Sequence, residues 1–380
     1  MKKVLLLMAL TVFAVNAVVA QEVPNLPKEL RTEGWKAGHV QGVAVDTKQG
    51  FIYLSFTTML VKMDMQGNIV GTVTGLLGHL GCLDFNDEDG RVYGSLEYKD
   101  DYIGKGILKQ EGSTKQLEIG FYVAIFDVEK ITRVGMSAER DGVMTSVLLK
   151  TVVEDYKAEV KGANGEVLKH RYGCSGFDGV SFGPAFDGSG KTMLTIAYGI
   201  YRDNNRVDND YQVLLQYDTR KWAKYEAPLS QDNMHQNGPS KPNGKYFVYT
   251  GNTSWGVQNL EYDKNLNIWL LACYPGRKEC YSNFTLFAVD GAKKAVQQSL
   301  KGVAYDKKGA VLQLVDGGNR DEFAPEIRGW HNKFGVYGTH SLGNGYFYLV
   351  EATRDGKLRG AVVHLARYTG GDNAAFELMK

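Results

Sequence analysis

Proline is scarce in this chain of 380 residues, at 8 against 45 glycines, and no stretch carries a convincing helical apolar period. With 22 Tyr and 16 Phe as well, that composition points to an all-β chain with many tight turns. Charge of one sign is also lacking, since 44 Lys and Arg face 43 Asp and Glu. Without a basic excess there is little to attract a phosphate backbone, so no nucleic acid partner is expected. Beyond residue 20 no run is long and apolar enough to span a bilayer. No Cys-x-x-Cys or Cys/His zinc spacing occurs. Gly188-Ser189-Gly190-Lys191-Thr192 looks like the end of a phosphate-cradling loop, but Ala185 stands where that motif needs Gly, and a strand-like run follows.

The first twenty residues read as a secretion signal. Lys2 and Lys3 are the basic start, Val4 to Ala14 is the apolar run, and Val18-Val19-Ala20 offers small residues for cleavage. Periplasmic or secreted localisation is therefore expected, with no transmembrane segment once the signal is removed. In such a compartment the four cysteines can form two disulfides. Cys273 and Cys280 enclose a turn-rich loop; Cys82 and Cys174 are the second pair, with a buried thiol as the alternative for Cys82.

Internal repetition carries the fold. Residues 40 to 74 hold four short apolar strands separated by turns at Gly50 and Gly67, which is one propeller blade in about 35 residues. The same grammar restarts near residues 81, 179, 257 and 339. Four of the third strands end in Asp before a turn: Asp64, Asp127, Asp218 and Asp290. The expectation is a single β-propeller over 21–380 with four-stranded antiparallel blades. Five blades are counted, or six if residues 233 to 255 carry part of another, and 141–170 reads as an inserted hairpin.

In a propeller the innermost strands line a central channel, and ligands meet their starts. Residues entering these strands are His39 and Gln41, His79, Asp178, then Trp255, Gln258 and Asn259, and finally His340. His235 lies in the loop before the fourth blade. At the ends of second strands stand Glu97 and Glu351. Glu97, Glu351 and Asp178 are candidate catalytic acids, because glycoside hydrolysis needs a pair of carboxyl groups. His39, His79, His235 and His340 are candidate ligands for a divalent metal such as Zn, Mn or Ca. Tyr198 and Trp255 offer aromatic faces, and Arg202 can clamp an anion. Together with Gln41, Gln258 and Asn259 they form the candidate binding set for a small molecule or oligosaccharide.

The repeats and the secretion signal together resemble the exported propeller proteins of Bacteroidetes, some of them sialidase-like. Asp187 to Thr192 comes near the sialidase Asp-box, with Met193 where that motif has Trp. Five blades are also similar to glycosidase clans that set three acids around a funnel; there the first inner strand supplies an Asp where this chain has Gln41. The resemblance implies a glycan-active enzyme, a hydrolase or a lyase. The alternatives are a metal-dependent hydrolase or lactonase, and a carbohydrate-binding propeller without catalysis.

Overall fold

Apolar residues on both faces of a strand need a cover on both sides, and a ring of sheets supplies it. In the blade built from Val40–Asp46, Phe51–Phe56, Met59–Asp64 and Ile69–Thr74, alternation sends Ile52 and Leu54 one way and Tyr53 the other. The computed structural model describes residues 25–380 and shows five such blades around one channel. The segment read as a secretion signal lies outside the described residues.

The inner strands are Val40–Asp46, His79–Asn86, Cys174–Pro184, Thr253–Asp263 and Thr339–Gly343. Each hydrophobic cluster spans one boundary between neighbouring blades, five clusters for five boundaries. The last boundary joins Val43 and Leu54 to Tyr348 and Val363, so the ring closes on itself. Closure is reinforced by Glu29–Arg31, which pairs with residues 362–364 of the last blade. The N-terminal strand thus completes a sheet made otherwise by the C-terminus.

Several expectations change. Residues 233–255 carry no sixth blade: Gly244–Tyr249 is the fourth strand of the third. Within 141–170, Met144–Leu148 is the fourth strand of the second blade, helix α2 (Lys150–Lys157, following α1 below) succeeds it, and only 159–169 is a hairpin. Cys82, Cys174, Cys273 and Cys280 are all free thiols, so the expected disulfides are not formed. Cys82 and Cys174 do share one core cluster, but the Cys82 thiol turns to the carbonyl of Val180 at 3.3 Å. Burial pushes that thiol up to about 12. Cys273 is buried whereas Cys280 is exposed. Three of the four turn aspartates act as expected, with Asp64, Asp218 and Asp290 accepting backbone N–H groups ahead of them.

Helix α1 (Tyr102–Gln110) is the element with the weakest sequence signal. Gly104 and Gly106 each lower helix propensity by about 1 kcal/mol relative to Ala. Gly104 is required, since a Cβ there would stand 1.9 Å from the carbonyl oxygen of Lys99. Asp101 caps the helix by accepting from the N–H groups of Ile103 and Gly104. No helix among the described residues is long and apolar enough to cross a membrane.

Candidate functional site

Four of the five inner strands break register at the same level. Gln41, Asp178 and Gln258 are each left unpaired between two paired neighbours, and the second blade slips at Gly81-Cys82. A bulge of this kind re-aims the extra side chain. Here it brings Gln41, Asp178 and Gln258 to one cavity of about 820 Å³ at the upper end of the channel. The helix α1 residues Tyr102, Ile103 and Ile107 form part of its wall.

At the base of this cavity His79 Nδ1 stands 3.4 Å from Asp178 Oδ1 and 3.8 Å from Glu97 Oε2. Asp178 also accepts from Gln258 Nε2 at 3.1 Å, which is itself tied to the Trp255 carbonyl at 3.0 Å. Glu97 is held from behind: Oε1 accepts the N–H of Phe177 at 2.6 Å, and Lys99 Nζ lies 2.7 Å from Oε2. Gly176 makes this seat possible, because its φ is +121° and a Cβ there would fall 1.8 Å from Glu97 Oε1. His79 Nδ1 is buried against the two carboxylates, with no hydrogen bond of good geometry, and the ring borders the cavity.

The cluster is close to neutral. Burial opposes ionisation of Asp178, but the His79 ring 3.4 Å away and the Lys99 ammonium outweigh it and hold the carboxyl below its usual range. Burial lifts Glu97 to about 7, with Lys99 pulling the other way and Asp178 adding to the rise. Lys99 is kept charged against its own burial by Glu97 and Asp178. His39, on the same cavity, is lowered to about 4, chiefly by burial, with the neighbouring His79 and Arg359 adding to it, so it is a neutral imidazole at pH 7. Its Nε2 lies 3.0 Å from Gln41 Nε2.

Above this base the walls are aromatic and cationic. Trp255, held at φ +65°, sits 5.8 Å between ring centres from both Tyr102 and Tyr201. Arg202, Arg277 and Arg359 line the cavity, and none forms an ion pair among the described residues. Lys99, Arg277, Arg359 and the helix wall were absent from the sequence reading. A hint for Lys99 lay in Glu97-Tyr98-Lys99, since alternate residues of an extended segment share a face.

The structure therefore unites Gln41, His39, His79, Glu97, Asp178, Trp255, Gln258 and Arg202 around one cavity. It separates the other candidates. Tyr198 is fully buried between blades, its hydroxyl donating to Asp155 at 2.8 Å, because strand alternation turns it away from the channel. Asn259 bridges strands, donating to the carbonyls of Gln41 and Val336. His235 lies by the fourth strand of the second blade, 2.9 Å from Ser146 Oγ. Glu351 is half-exposed, paired with Lys333 at 3.1 Å and His364 at 3.4 Å. It runs past the short inner strand of its blade, which pairs only as far as Thr339 with Leu349.

His340 belongs to the opposite end of the channel. The fifth inner strand enters late, so its second residue lies level with Asp84 and Glu261, near the ends of their strands. The expected metal set of four histidines is thus divided, with His39 and His79 above, His340 below and His235 in neither group. Burial raises Asp84 to about 7 and Glu261 well above its usual value, and lowers His340 to about 4.

A Gly-x-Ser-x-Gly match spans Gly179 to Gly183. It lies inside an inner strand, where Ser181 is buried and its Oγ accepts the N–H of Tyr262 at 3.2 Å, so no strand-to-helix elbow exists there. The Asp187–Thr192 run makes an exposed hairpin turn.

No protein-family model and no curated protein matches the chain. Among solved structures it is similar to the soluble aldose sugar dehydrogenase of Escherichia coli in its apo form, at 10% identity and a TM-score of 0.35 over 88% of this chain and 98% of that one. A calcium structure of a Trichoderma reesei carbohydrate-active enzyme of family AA12 gives 10% identity and 0.37, over 85% and 80%. A Bacteroides caccae protein of unknown function gives 11% and 0.30, over 73% and 86%. At these values the likeness is one of β architecture and carries nothing about activity.

Proposed function

We propose that this protein is an exported glycan-active enzyme that takes an acidic saccharide into the upper cavity and cleaves it by elimination. The observation that carries this is the placing of His79 3.4 Å from Asp178 at the base of a cavity bordered by three arginines that have no carboxylate partner among the described residues. A sugar carboxylate would meet Arg202, Arg277 or Arg359, and sugar rings would lie against Trp255 and Tyr102. Its carboxylate neutralised, the sugar has a more acidic proton on the adjacent carbon. His79, oriented by Asp178, accepts that proton. The electron pair left on carbon becomes the new double bond as the C–O bond to the departing sugar breaks. The departing oxygen takes a proton from water at the open mouth.

Elimination is favoured over hydrolysis because the second acid needed for hydrolysis is misplaced. Glu351 lies outside the cavity, and Glu97 is sealed by Lys99 and the Phe177 N–H. The ligand atoms of Glu97 and Asp178 are within 4.8 Å of each other, on one side of the cavity base. A pair of glycosidase carboxyl groups flanks its bond, at roughly 5 Å or more. Lys99 already balances the upper carboxylates, so the upper cluster needs no metal for its charge.

The test is to incubate the protein with uronate-containing and neutral oligosaccharides, following both the ultraviolet absorbance of an unsaturated product and new reducing ends. The expected result is unsaturated product from the acidic substrates only, lost in His79→Ala. Reducing ends without unsaturation, or full activity in His79→Ala, would overturn the proposal.

A further inference from the structure

The lower end of the channel poses the opposite electrostatic problem. Asp84 comes from the second blade, Glu261 from the fourth and His340 from the fifth. Their exposures are 5%, 3% and 8%, so all three are more than nine-tenths buried. His340 Nδ1 stands 3.6 Å from Asp84 Oδ1 and 3.8 Å from Glu261 Oε1. No Lys or Arg among the described residues is paired with either acid. His340 Nδ1 and Glu261 Oε2 are buried with no hydrogen-bond partner, and such orphaned atoms are costly unless something satisfies them.

We propose that Asp84, Glu261 and His340 form a binding site for a divalent transition cation of the zinc or manganese class, which ties three blades together across the channel. The donor set fits that class: one imidazole nitrogen and two carboxylates carry nitrogen that calcium avoids and too few oxygens for its shell. Spacing fits as well. With metal–ligand bonds of about 2.0–2.2 Å, neighbouring donors in a tetrahedral shell are about 3.3–3.6 Å apart. Movements of a few tenths of an ångström bring the 3.6 and 3.8 Å separations into that range. All three donor atoms lie within 4.8 Å of one another.

The ligands are braced from outside, as metal ligands usually are. Asp84 Oδ2 accepts the N–H of Phe182 at 2.6 Å, and Glu261 Oε1 accepts that of Ser341 at 2.8 Å. Ser341 also donates its hydroxyl to Asp263 at 2.8 Å. A cavity of about 370 Å³, lined by Asp84, Glu261 and His340 among others, connects the site to solvent, giving a cation an entry path and room for a water ligand. The upper cluster differs at one point that matters: Lys99 already occupies the cationic role there.

The full chain is stripped with a chelator, desalted, and titrated with Zn²⁺ alone and Mn²⁺ alone, with bound metal counted by elemental analysis. One equivalent is expected, with a Tm rise of roughly 5 °C or more at saturation. Glu261→Gln and His340→Gln should each weaken binding at least about tenfold, which corresponds to roughly 1.4 kcal/mol. Asp178→Asn, in the upper cluster, should keep the equivalent. Failure of both metals to bind at about 100-fold excess, or loss of the equivalent in Asp178→Asn but not in the lower variants, would overturn the proposal. Near-ultraviolet circular dichroism confirms that the variants fold. If they do not, the wild-type ¹⁵N histidine spectrum decides: Zn²⁺ must shift the His340 ring nitrogens and leave those of His79 in place.

Discussion

Gly176→Ala is the sharpest probe of how the upper site is built. The residue sits at φ +121°, outside the range that a side chain adopts without strain, and the new Cβ would stand 1.8 Å from Glu97 Oε1. Holding a non-glycine residue in such a region costs about 1–3 kcal/mol. The contact itself cannot exist, so the backbone or Glu97 must move. If Glu97 moves, its Oε1 surrenders the 2.6 Å hydrogen bond from the Phe177 N–H. A hydrogen bond to a charged acceptor contributes about 1.5–3 kcal/mol. The sum is about 2.5–6 kcal/mol, a fall in Tm on the order of 3–8 °C for a chain of this length, in thermal melts followed by circular dichroism. Gly75→Ala is the control, because Gly75 has φ +85° but nothing within 4 Å of its would-be Cβ. The excess of Gly176→Ala over Gly75→Ala therefore measures displacement of Glu97. A double variant with Glu97→Ala should recover part of that excess, since the clashing carboxylate is gone. If Gly176→Ala costs no more than Gly75→Ala, or if it adds independently to Glu97→Ala, the account of the Glu97 seat is wrong.

Lys99→Met removes the cation from the upper carboxylates and should destabilise the fold by about 3–5 kcal/mol, as breaking a buried pair does. The loss should be larger at pH 8 than at pH 5.5: once Lys99 is gone the folded-state values of Glu97 and Asp178 rise, and stability held at low pH is lost as pH climbs through them; an equal loss at both values in chemical denaturation would count against this. Glu351→Gln should leave saccharide cleavage unchanged and cost under about 1 kcal/mol, because its partners Lys333 and His364 are met at a half-exposed site. Addition of a thiol reductant should not change the Tm, since all four cysteines are unbonded; a fall of several degrees would restore the disulfide expectation.

Much of the ring was written in local chemistry. Turn residues such as Asp64 and Asp290, and apolar runs such as Phe51–Phe56 and Ile268–Pro275, give the blade period without tertiary knowledge. Five residues of the upper cavity were also found, because His39, Gln41, His79, Asp178 and Gln258 enter equivalent strands at equivalent places. Blade five broke the analogy. Its inner strand has 5 residues where the others have 7 to 11, and strand length is not encoded in the turn pattern that aligned His340 with His79. Closure by Glu29–Arg31 was equally hidden, since a three-residue strand has no period to detect. Helix α1 was concealed by its glycines, one of which is demanded by contact with Lys99 rather than by the helix. Arg277 and Arg359 reach the cavity from distant stretches of chain, so only the closed ring brings them together.

The two ends of one channel show how the same strands solve two electrostatic problems. Each end gathers one histidine and two carboxylates, from two blades above and three below, in water-poor surroundings where unbalanced charge is expensive. Above, the bulges open the strand starts into a wide cavity, and the second blade continues from Glu97 to Lys99, placing an ammonium within 2.7 Å. That cluster keeps its charges and borders a space large enough for a saccharide, the conditions under which an oriented imidazole can exchange a proton. Below, the cavity is smaller and no ammonium is paired with Asp84 or Glu261 among the described residues. Those acids must hold protons or share a cation. A lysine introduced near the lower triad should therefore compete with Zn²⁺ there, whereas removal of Lys99 should make the upper triad more attractive to the same ion.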